Sequence, residues 1–146
     1  MGEGETQGEA KGEVLVVEDD REINELVCAY AEIAGFASRS ALNGSDALAE
    51  VRKRRPALIV LDLMLPDLDG FEVCRRVRSE AQATGKPIPV IIILTALDGA
   101  KSRQQGRECG AVDYLTKPFD PDRLMEVINR HAISGSPNDQ APMTNK

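Results

Sequence analysis

Residues 58–70 read Leu-Ile-Val-Leu-Asp-Leu-Met-Leu-Pro-Asp-Leu-Asp-Gly, a short run of large apolar residues that ends at an aspartate and continues into a turn. A continuous apolar run of this length is typical of a strand that is buried on both faces. Similar runs of branched residues occur at 14–17 and 90–94. The sequence therefore predicts three central strands of a parallel sheet.

The stretches around these runs show helical spacing or weaker strand patterns. In the first predicted helix, apolar residues recur at i, i+3, i+4, i+7 and i+11, and Gly35 is expected to end the helix. These inward positions are Ile23, Leu26, Val27, Tyr30 and Ala34. Two weaker strands are predicted at 37–41 and 111–115, and the helix at 99–109 has almost no apolar stripe. Five strands that alternate with five helices predict an α/β fold with a parallel sheet covered on both sides.

Composition limits the number of domains and the kinds of partner. A chain of 146 residues with 42 % hydrophobic and 29 % charged residues is expected to form one globular domain. Its net charge is −6 and its pI is near 4.9, so it offers no basic face for a phosphate backbone. We therefore expect no direct binding to nucleic acid.

The remaining composition features concern location and chain ends. The apolar runs are too short to cross a bilayer, and residues 1–12 are Gly-rich and acidic rather than signal-like. Three widely spaced cysteines fit buried side chains in a reducing compartment, which favours the cytoplasm. We expect flexible segments at 1–12 and 134–146 around a domain at 13–133.

Several polar side chains directly follow the predicted strands. Because the carboxyl ends of parallel strands lie at one edge of the sheet, these residues are expected to meet there. They are Glu18, Asp19 and Asp20 after the first strand, Asp62 after the third, Thr95 after the fourth and Lys117 after the fifth. Clustered carboxylates repel one another unless a cation lies among them, and hard oxygen ligands suit Mg²⁺ or Mn²⁺. Which residues of the triplet at 18–20 would hold the ion stays open.

The same set of residues predicts a chemistry. Mg²⁺ uses only one or two carboxylates, which leaves a central one, Asp62, free to act as a nucleophile. The hydroxyl of Thr95 and the ammonium of Lys117 could contact phosphoryl oxygens at this edge. We therefore interpret the cluster as a site for phosphoryl transfer to Asp62.

Four motifs in these positions resemble those of a known family. They are Val-Val-Glu-Asp-Asp at 16–20, Leu-Asp-Leu-Met-Leu-Pro-Asp-Leu-Asp-Gly at 61–70, Leu-Thr-Ala at 94–96 and Asp-Tyr-Leu-Thr-Lys-Pro-Phe at 113–119. In this order they resemble the receiver domain of two-component response regulators, over residues 13–133. The resemblance implies a flavodoxin-like (βα)5 three-layer sandwich with strand order 2-1-3-4-5.

The resemblance also implies roles for individual residues. Asp62 would accept a phosphoryl group from the phosphohistidine of a sensor histidine kinase or histidine phosphotransfer protein. Glu18, Asp19, Asp62 and the backbone carbonyl of Met64 would hold the metal ion. Thr95 and Tyr114 would form a switch pair. Lys117 would pair with the phosphate, and the Lys117–Pro118 bond would be cis. The downstream target would be a protein, and a homodimer formed on phosphorylation is compatible with this interpretation.

Two residues near the site are apolar where family members vary between polar and apolar side chains. They are Met64, two residues after Asp62, and Leu97, two residues after Thr95. Neither side chain can orient an attacking water, so the sequence predicts a long-lived phosphorylated form.

Simpler roles explain other polar residues. Asp20, Asp67 and Asp69 are expected to be helix caps or turn residues. His131 falls on an apolar helix face and is expected to pack there. Residues 53–55 are basic and would complement a helix dipole, and Tyr114 could also be an ordinary core residue.

Two alternative functions belong to other classes. A phosphatase of the haloacid-dehalogenase type uses an aspartate nucleophile but needs a second Asp two residues later, where this chain has Met64. A degenerate receiver would act only as a binding module, but it would not need to keep Asp62, Thr95 and Lys117. The 146 residues contain no segment that we interpret as an output domain, so a stand-alone receiver and a fragment of a longer regulator both stay open.

Overall fold

A computed structural model describes residues 11–133 as strands and helices in strict alternation. The strands are β1 (Glu13–Val17), β2 (Ala37–Ala41), β3 (Leu58–Leu61), β4 (Val90–Thr95) and β5 (Asp113–Thr116). The helices are α1 (Arg21–Ile33), α2 (Gly44–Lys53), α3 (Gly70–Thr84), α4 (Ala100–Glu108) and α5 (Pro121–Ile133).

The five strands form one parallel sheet in the order β2-β1-β3-β4-β5. The last residue of β3, Leu61, pairs with Val17 on one side and with Ile93 on the other. The ends of β1 and β3 are therefore level, and β4 extends two residues further. This arrangement confirms the predicted flavodoxin-like fold and strand order.

Alternate residues of the central strands pack into two separate cores. One core joins the sheet to α2, α3 and the end of α4, and the other joins it to α1 and α5. In β3, for example, Ile59 and Leu61 belong to the first core, and Leu58 and Val60 belong to the second. Burial on both faces explains why these strands are continuous apolar runs.

The buried face of α1 differs from the prediction. Leu26 was predicted to face inward, but 44 % of its surface is exposed, while Asn24, Val27 and Ala31 are the buried residues. These three residues have the i, i+3, i+7 spacing of one helix face. The prediction was wrong for Leu26 because it followed apolar character alone, whereas Val27 and Ala34 of the same predicted stripe are buried.

The aspartates that were predicted to be helix caps or turn residues cap helices in the structure. Asp20 accepts hydrogen bonds from two N–H groups of the first turn of α1, and Asp69 caps α3. Asp67 caps a different helix, since its carboxylate accepts from the N–H groups of Gly44 and Ser45 in α2. The aspartates therefore satisfy backbone donors that a helix cannot satisfy by itself.

Three further predictions can be compared with the structure. The last strand begins at Asp113, two residues later than predicted, and the N–H of Val112 just before it bonds to the carbonyl of Ile91 at 2.8 Å. Within α4 only Gly106 is buried, which agrees with the predicted lack of an apolar stripe. His131 is partly exposed, and its Nε2 lies 3.3 Å from Oδ2 of Asp113.

The predicted flexible segments fall largely outside the described residues, as 1–10 and 134–146. Lys11 and Gly12 are described, and they hydrogen-bond to the backbone of Gly35 and Ala37. Within 11–133, none of the helices has both the length and the hydropathy that crossing a membrane requires. Cys28, Cys74 and Cys109 are all free thiols.

Candidate functional site

Three carboxylates lie together at the carboxyl edge of the sheet. Glu18 and Asp19 follow β1, and Asp62 follows β3, the neighbouring strand. One oxygen from each lies within 4.8 Å of the other two. Glu18 and Asp62 are buried, whereas Asp19 is exposed. The cluster therefore has a buried inner side and an outer side open to solvent.

The ammonium of Lys117 lies on the inner side of this cluster. It donates hydrogen bonds to Glu18 and, at 3.0 Å, to Oδ2 of Asp62. Its position depends on the end of β5, where the N–H of Lys117 bonds to the carbonyl oxygen of Thr95 at 2.8 Å. The next peptide bond, Lys117–Pro118, is cis.

Burial and pairing act together on these charges. Burial disfavours the ammonium of Lys117, but its hydrogen bonds to Glu18 and Asp62 outweigh that effect and raise its pKa above the ordinary value. Burial raises the pKa of Glu18, and the neighbouring Asp62 charge adds to this, although Lys117 opposes both. One ammonium thus serves two buried carboxylates, and it stays protonated at neutral pH.

The loop after β3 fixes the orientation of Asp62. Its Oδ1 accepts a hydrogen bond from the N–H of Met64 at 3.1 Å, so each carboxylate oxygen has one partner. The loop then returns close to the strand, because the N–H of Gly70 bonds to the carbonyl of Leu63. A Cβ at position 70 would lie 2.5 Å from the backbone oxygen of Asp62. Only glycine permits this close approach.

Asn24 supports the acidic loop and was not predicted from the sequence. The side-chain nitrogen of Asn24 lies within hydrogen-bonding distance of three backbone carbonyls, at 3.2 Å, 3.0 Å and 3.2 Å. These belong to Val16, Glu18 and Ala41. Asn24 therefore ties α1 to the ends of β1 and β2, and it contacts the backbone of Glu18, the first residue of the acidic loop. The sequence feature that could have identified Asn24 is its spacing of three residues from Val27, which places this polar residue on the buried face of the helix.

The two residues predicted to act as a switch lie on neighbouring strands, Thr95 at the end of β4 and Tyr114 within β5. Thr95 is fully buried at the end of β4, and its hydroxyl accepts a hydrogen bond from the N–H of Leu97 at 3.4 Å. The hydroxyl of Tyr114 donates to the carbonyl of the same Leu97 at 2.9 Å. The guanidinium of Arg103 in α4 lies 4.8 Å from the centre of the Tyr114 ring. Thr95 and Tyr114 are thus connected through one short segment of backbone.

The donor set fits a small divalent cation. All three carboxylates supply hard oxygen ligands, and Asp19 leaves the cluster accessible from solvent. With Lys117 protonated and the carboxylates ionised, two negative charges stay uncompensated. Mg²⁺ or Mn²⁺ would balance them. Glu18, Asp19 and Asp62 are the residues that could hold such an ion.

The chain is similar to one well-populated protein family. A family model described as the response regulator receiver domain matches residues 14–129. The DNA-binding dual master transcriptional regulator RpaA of Synechocystis is 40 % identical over 115 residues, which cover 79 % of this chain and 46 % of that protein. The response regulator MprA of Mycobacterium leprae is 40 % identical over 128 residues, which cover 88 % of this chain and 54 % of that protein.

Solved structures show the same likeness. The receiver domain of a Francisella response regulator has 33 % identity and a TM-score of 0.75, covering 86 % of this chain and 99 % of that one. Response regulator DrrB, an OmpR/PhoB homologue of Thermotoga maritima, has 33 % identity and a TM-score of 0.72, covering 82 % of this chain and 51 % of that one. The chain therefore spans about half the length of the curated relatives it matches.

Proposed function

Because the chain belongs to the family of response regulator receiver domains, we propose that Asp62 accepts a phosphoryl group from a phosphohistidine. The donor would be a sensor histidine kinase or a histidine phosphotransfer protein. The observation that supports this most directly is the contact of one protonated lysine with two buried carboxylates, beside a third that is exposed. Such a site can compensate the charge of a phosphoryl group and still present a nucleophile.

In the proposed reaction, Asp62 is the nucleophile. One of its carboxylate oxygens forms a bond to phosphorus as the bond between phosphorus and the donor nitrogen breaks, and the electron pair stays with the imidazole. The N–H of Met64 and the ammonium of Lys117 hold the carboxylate in a single orientation beforehand. The ammonium of Lys117 then pairs with the oxygens of the transferred phosphoryl group, so the phosphorylated form keeps a cationic partner.

A divalent cation, Mg²⁺ or Mn²⁺, would neutralise charge on the phosphoryl oxygens when it is bound. Glu18, Asp19 and Asp62 would hold it, together with the backbone carbonyl of Met64. The donor set supports this assignment because all the side-chain ligands are oxygen atoms.

We propose that Thr95 and Tyr114 transmit the modification. The hydroxyl of Thr95 would turn toward the phosphoryl oxygens, which releases its contact with the N–H of Leu97. Since the hydroxyl of Tyr114 bonds to the carbonyl of the same residue, the aromatic ring would respond as well. The contact surface that changes would be the face formed by α4, β5 and α5, where α4 packs shallowly.

The proposed partners are proteins. The names of some relatives mention DNA binding and transcriptional regulation, but this chain spans only about half the length of those proteins. We therefore do not assign these functions to it. For these 146 residues we propose a downstream protein target and a homodimer that forms on phosphorylation. The net charge of −6 supports protein contacts over direct nucleic-acid binding. The free cysteines support a cytoplasmic location.

Acetyl phosphate provides a direct test, because its phosphoryl group can be transferred without a kinase. The protein is incubated with acetyl phosphate and Mg²⁺, and its intact mass is measured. We expect the addition of one phosphoryl group to the unaltered chain and to Asp69→Asn, which removes a nearby helix-capping carboxylate. We expect no addition to Asp62→Asn, and none when EDTA replaces Mg²⁺.

Two results would contradict the proposal. Absence of any adduct on the unaltered chain would favour a degenerate binding module. Release of inorganic phosphate at many turnovers per protein molecule would favour a phosphatase.

A further inference from the structure

Two cysteines that the proposed phosphoryl-transfer site does not use lie against each other in the core. Cys74 belongs to α3, and Cys109 directly follows α4. The Cys74 thiol donates a hydrogen bond to the backbone carbonyl of Cys109 at 3.0 Å, across 35 residues of sequence. The Cys109 thiol donates its own proton to the backbone carbonyl of Gly106 at 3.4 Å, and the two side chains are close enough to shift each other's pKa. Both are buried, whereas Cys28 packs with the core on the opposite face of the sheet.

The surroundings shift the pKa values of the two thiols in opposite directions. Arg75 and Arg78 of α3 lie near Cys109, and the Arg78 guanidinium is so close to Gly110 that a Cβ there would clash with it. The hydrogen bond from Cys74 lowers the pKa of Cys109, and these two positive charges contribute to the same effect. The same hydrogen bond raises the pKa of Cys74, and burial adds to that rise. Cys109 is therefore the thiol that ionises first.

We propose that Cys74 and Cys109 form a reversible disulfide when the protein meets hydrogen peroxide. Cys109 supplies an ionisable thiol, and the Cys74 sulfur lies 3.0 Å from the Cys109 backbone oxygen, so the pair has the proximity that a dithiol oxidation requires. Neither residue takes part in the proposed phosphoryl transfer, so the inference does not depend on it.

The reaction proceeds in two steps. The thiolate of Cys109 attacks one peroxide oxygen, the O–O bond breaks, and a sulfenic acid and hydroxide form; the hydroxide takes up a proton to become water. The sulfur of Cys74 then attacks the sulfenic sulfur, the S–O bond breaks, and hydroxide leaves with the Cys74 proton as a second water. The two thiols lose two electrons in total and the peroxide gains them.

This disulfide would link α3 to the end of α4. The backbone carbonyl of Gly106 accepts a hydrogen bond from the Cys109 thiol at 3.4 Å. Gly106 also packs closely on the ring of Tyr114, since a Cβ there would lie 3.1 Å from Cδ2. The last turn of α4, beside Tyr114, would therefore lose freedom of movement in the oxidised form.

The test uses the full chain in its native state. The protein is treated with hydrogen peroxide, unfolded in N-ethylmaleimide to block the remaining thiols, and analysed by intact mass and peptide mapping. We expect a loss of about 2 Da before alkylation, a single alkylated cysteine at Cys28, and a cross-link between the peptides that contain Cys74 and Cys109. Dithiothreitol should restore three reactive thiols.

Cys28→Ser is the matched control and should give the same cross-link. Cys74→Ala and Cys109→Ala should each lose it, and the peptide map of the unaltered chain decides the question if either variant fails to fold. Amide exchange at residues 105–109 should slow by about tenfold on oxidation, with no change in α1. Three alkylated thiols, oxygen adducts without a cross-link, or a cross-link through Cys28 would each overturn the proposal.

Discussion

The ammonium of Lys117 lies 3.0 Å from Oδ2 of Asp62, although 55 residues separate them in the chain. Lys117 also contacts Glu18, so a side chain from the end of β5 joins residues that follow β1 and β3. All three side chains are largely shielded from water. Removal of the Lys117 ammonium would leave two buried carboxylates without their cationic partner, which would destabilise the folded state.

Lys117→Met should therefore destabilise the fold. Breaking a buried ion pair by removal of one partner costs about 3 kcal/mol or more. We expect the free energy of unfolding, measured by urea denaturation in EDTA, to fall by about that amount. Mg²⁺ should recover part of the loss, because a bound cation stabilises the folded state by mass action.

Lys101→Met is the matched control, since Lys101 is an exposed lysine of α4. Its unfolding free energy should change by less than about 0.5 kcal/mol. Equal stabilities of the two variants in EDTA would show that the Lys117 contacts contribute little to the fold.

Asn24 and Leu26 lie two residues apart on α1. Replacement of Asn24 should destabilise the fold more than replacement of Leu26, although the apolar pattern of the sequence favours Leu26 as the buried residue. Asn24→Ala removes a buried donor and leaves backbone carbonyls at the ends of β1 and β2 without it. We expect a loss of about 2 kcal/mol. Leu26→Ala should cost less than about 1 kcal/mol, because the side chain is largely exposed. Chemical denaturation measures both, and a larger effect for Leu26 would contradict this assignment of the buried face.

This contrast shows where sequence reasoning succeeds and where it fails. The central strands were predictable because uninterrupted runs such as 58–61 have few alternatives to burial on both faces, whereas the order of the strands followed only from the family resemblance. The convergence of Asp62 and Lys117 was predictable because both follow strands that end at one edge. The role of Asn24 was not predictable, because its contribution to stability depends on backbone carbonyls at the ends of two strands. No local sequence pattern reveals that these carbonyls lie beside it.

The loop between β3 and α3 should depend on the absence of a side chain at position 70. In Gly70→Ala, the new Cβ would meet the backbone oxygen of Asp62 and the Cα of Leu63, each at 2.5 Å, so the backbone must shift. We expect a loss of about 2–3 kcal/mol in unfolding free energy and slower phosphorylation by acetyl phosphate, because Asp62 would move with the loop.

Gly85→Ala separates this steric effect from a general cost of replacing glycine. Gly85 has a φ of 69°, but no atom lies within 4 Å of the position its Cβ would take. It should cost about 1 kcal/mol through backbone strain alone. Its phosphorylation rate should equal that of the unaltered chain. Equal losses of stability in both glycine variants would argue against the close contact at position 70.

Asp67 should contribute to the acid sensitivity of the fold. Slight burial opposes its charge, but hydrogen bonds from Ser45 and Gly44 outweigh that effect and lower its pKa well below the ordinary value. Its stabilising effect is therefore complete above the unfolded pKa of about 4 and is lost as pH falls further. Because Asp67 is exposed and solvent screens its charge, Asp67→Asn should cost less than about 1 kcal/mol at neutral pH, and it should flatten the decline in stability below about pH 4. Glu25→Gln, at an exposed position of α1, is the control for the removal of one surface carboxylate.

The lifetime of the phosphorylated form should depend on the two apolar residues that flank the site. Met64 and Leu97 are 54 % and 38 % exposed, so each side chain borders the solvent from which an attacking water would come. Neither can accept a proton from that water or hold it in line with the phosphorus atom. We expect the phosphorylated chain, freed of acetyl phosphate and followed by intact mass, to persist for minutes or longer. Met64→Gln should shorten this lifetime by about tenfold, because an amide can orient water, whereas Leu26→Gln, remote on α1, should not change it. A lifetime of seconds for the unaltered chain would show that hydrolysis is assisted by another group at the site.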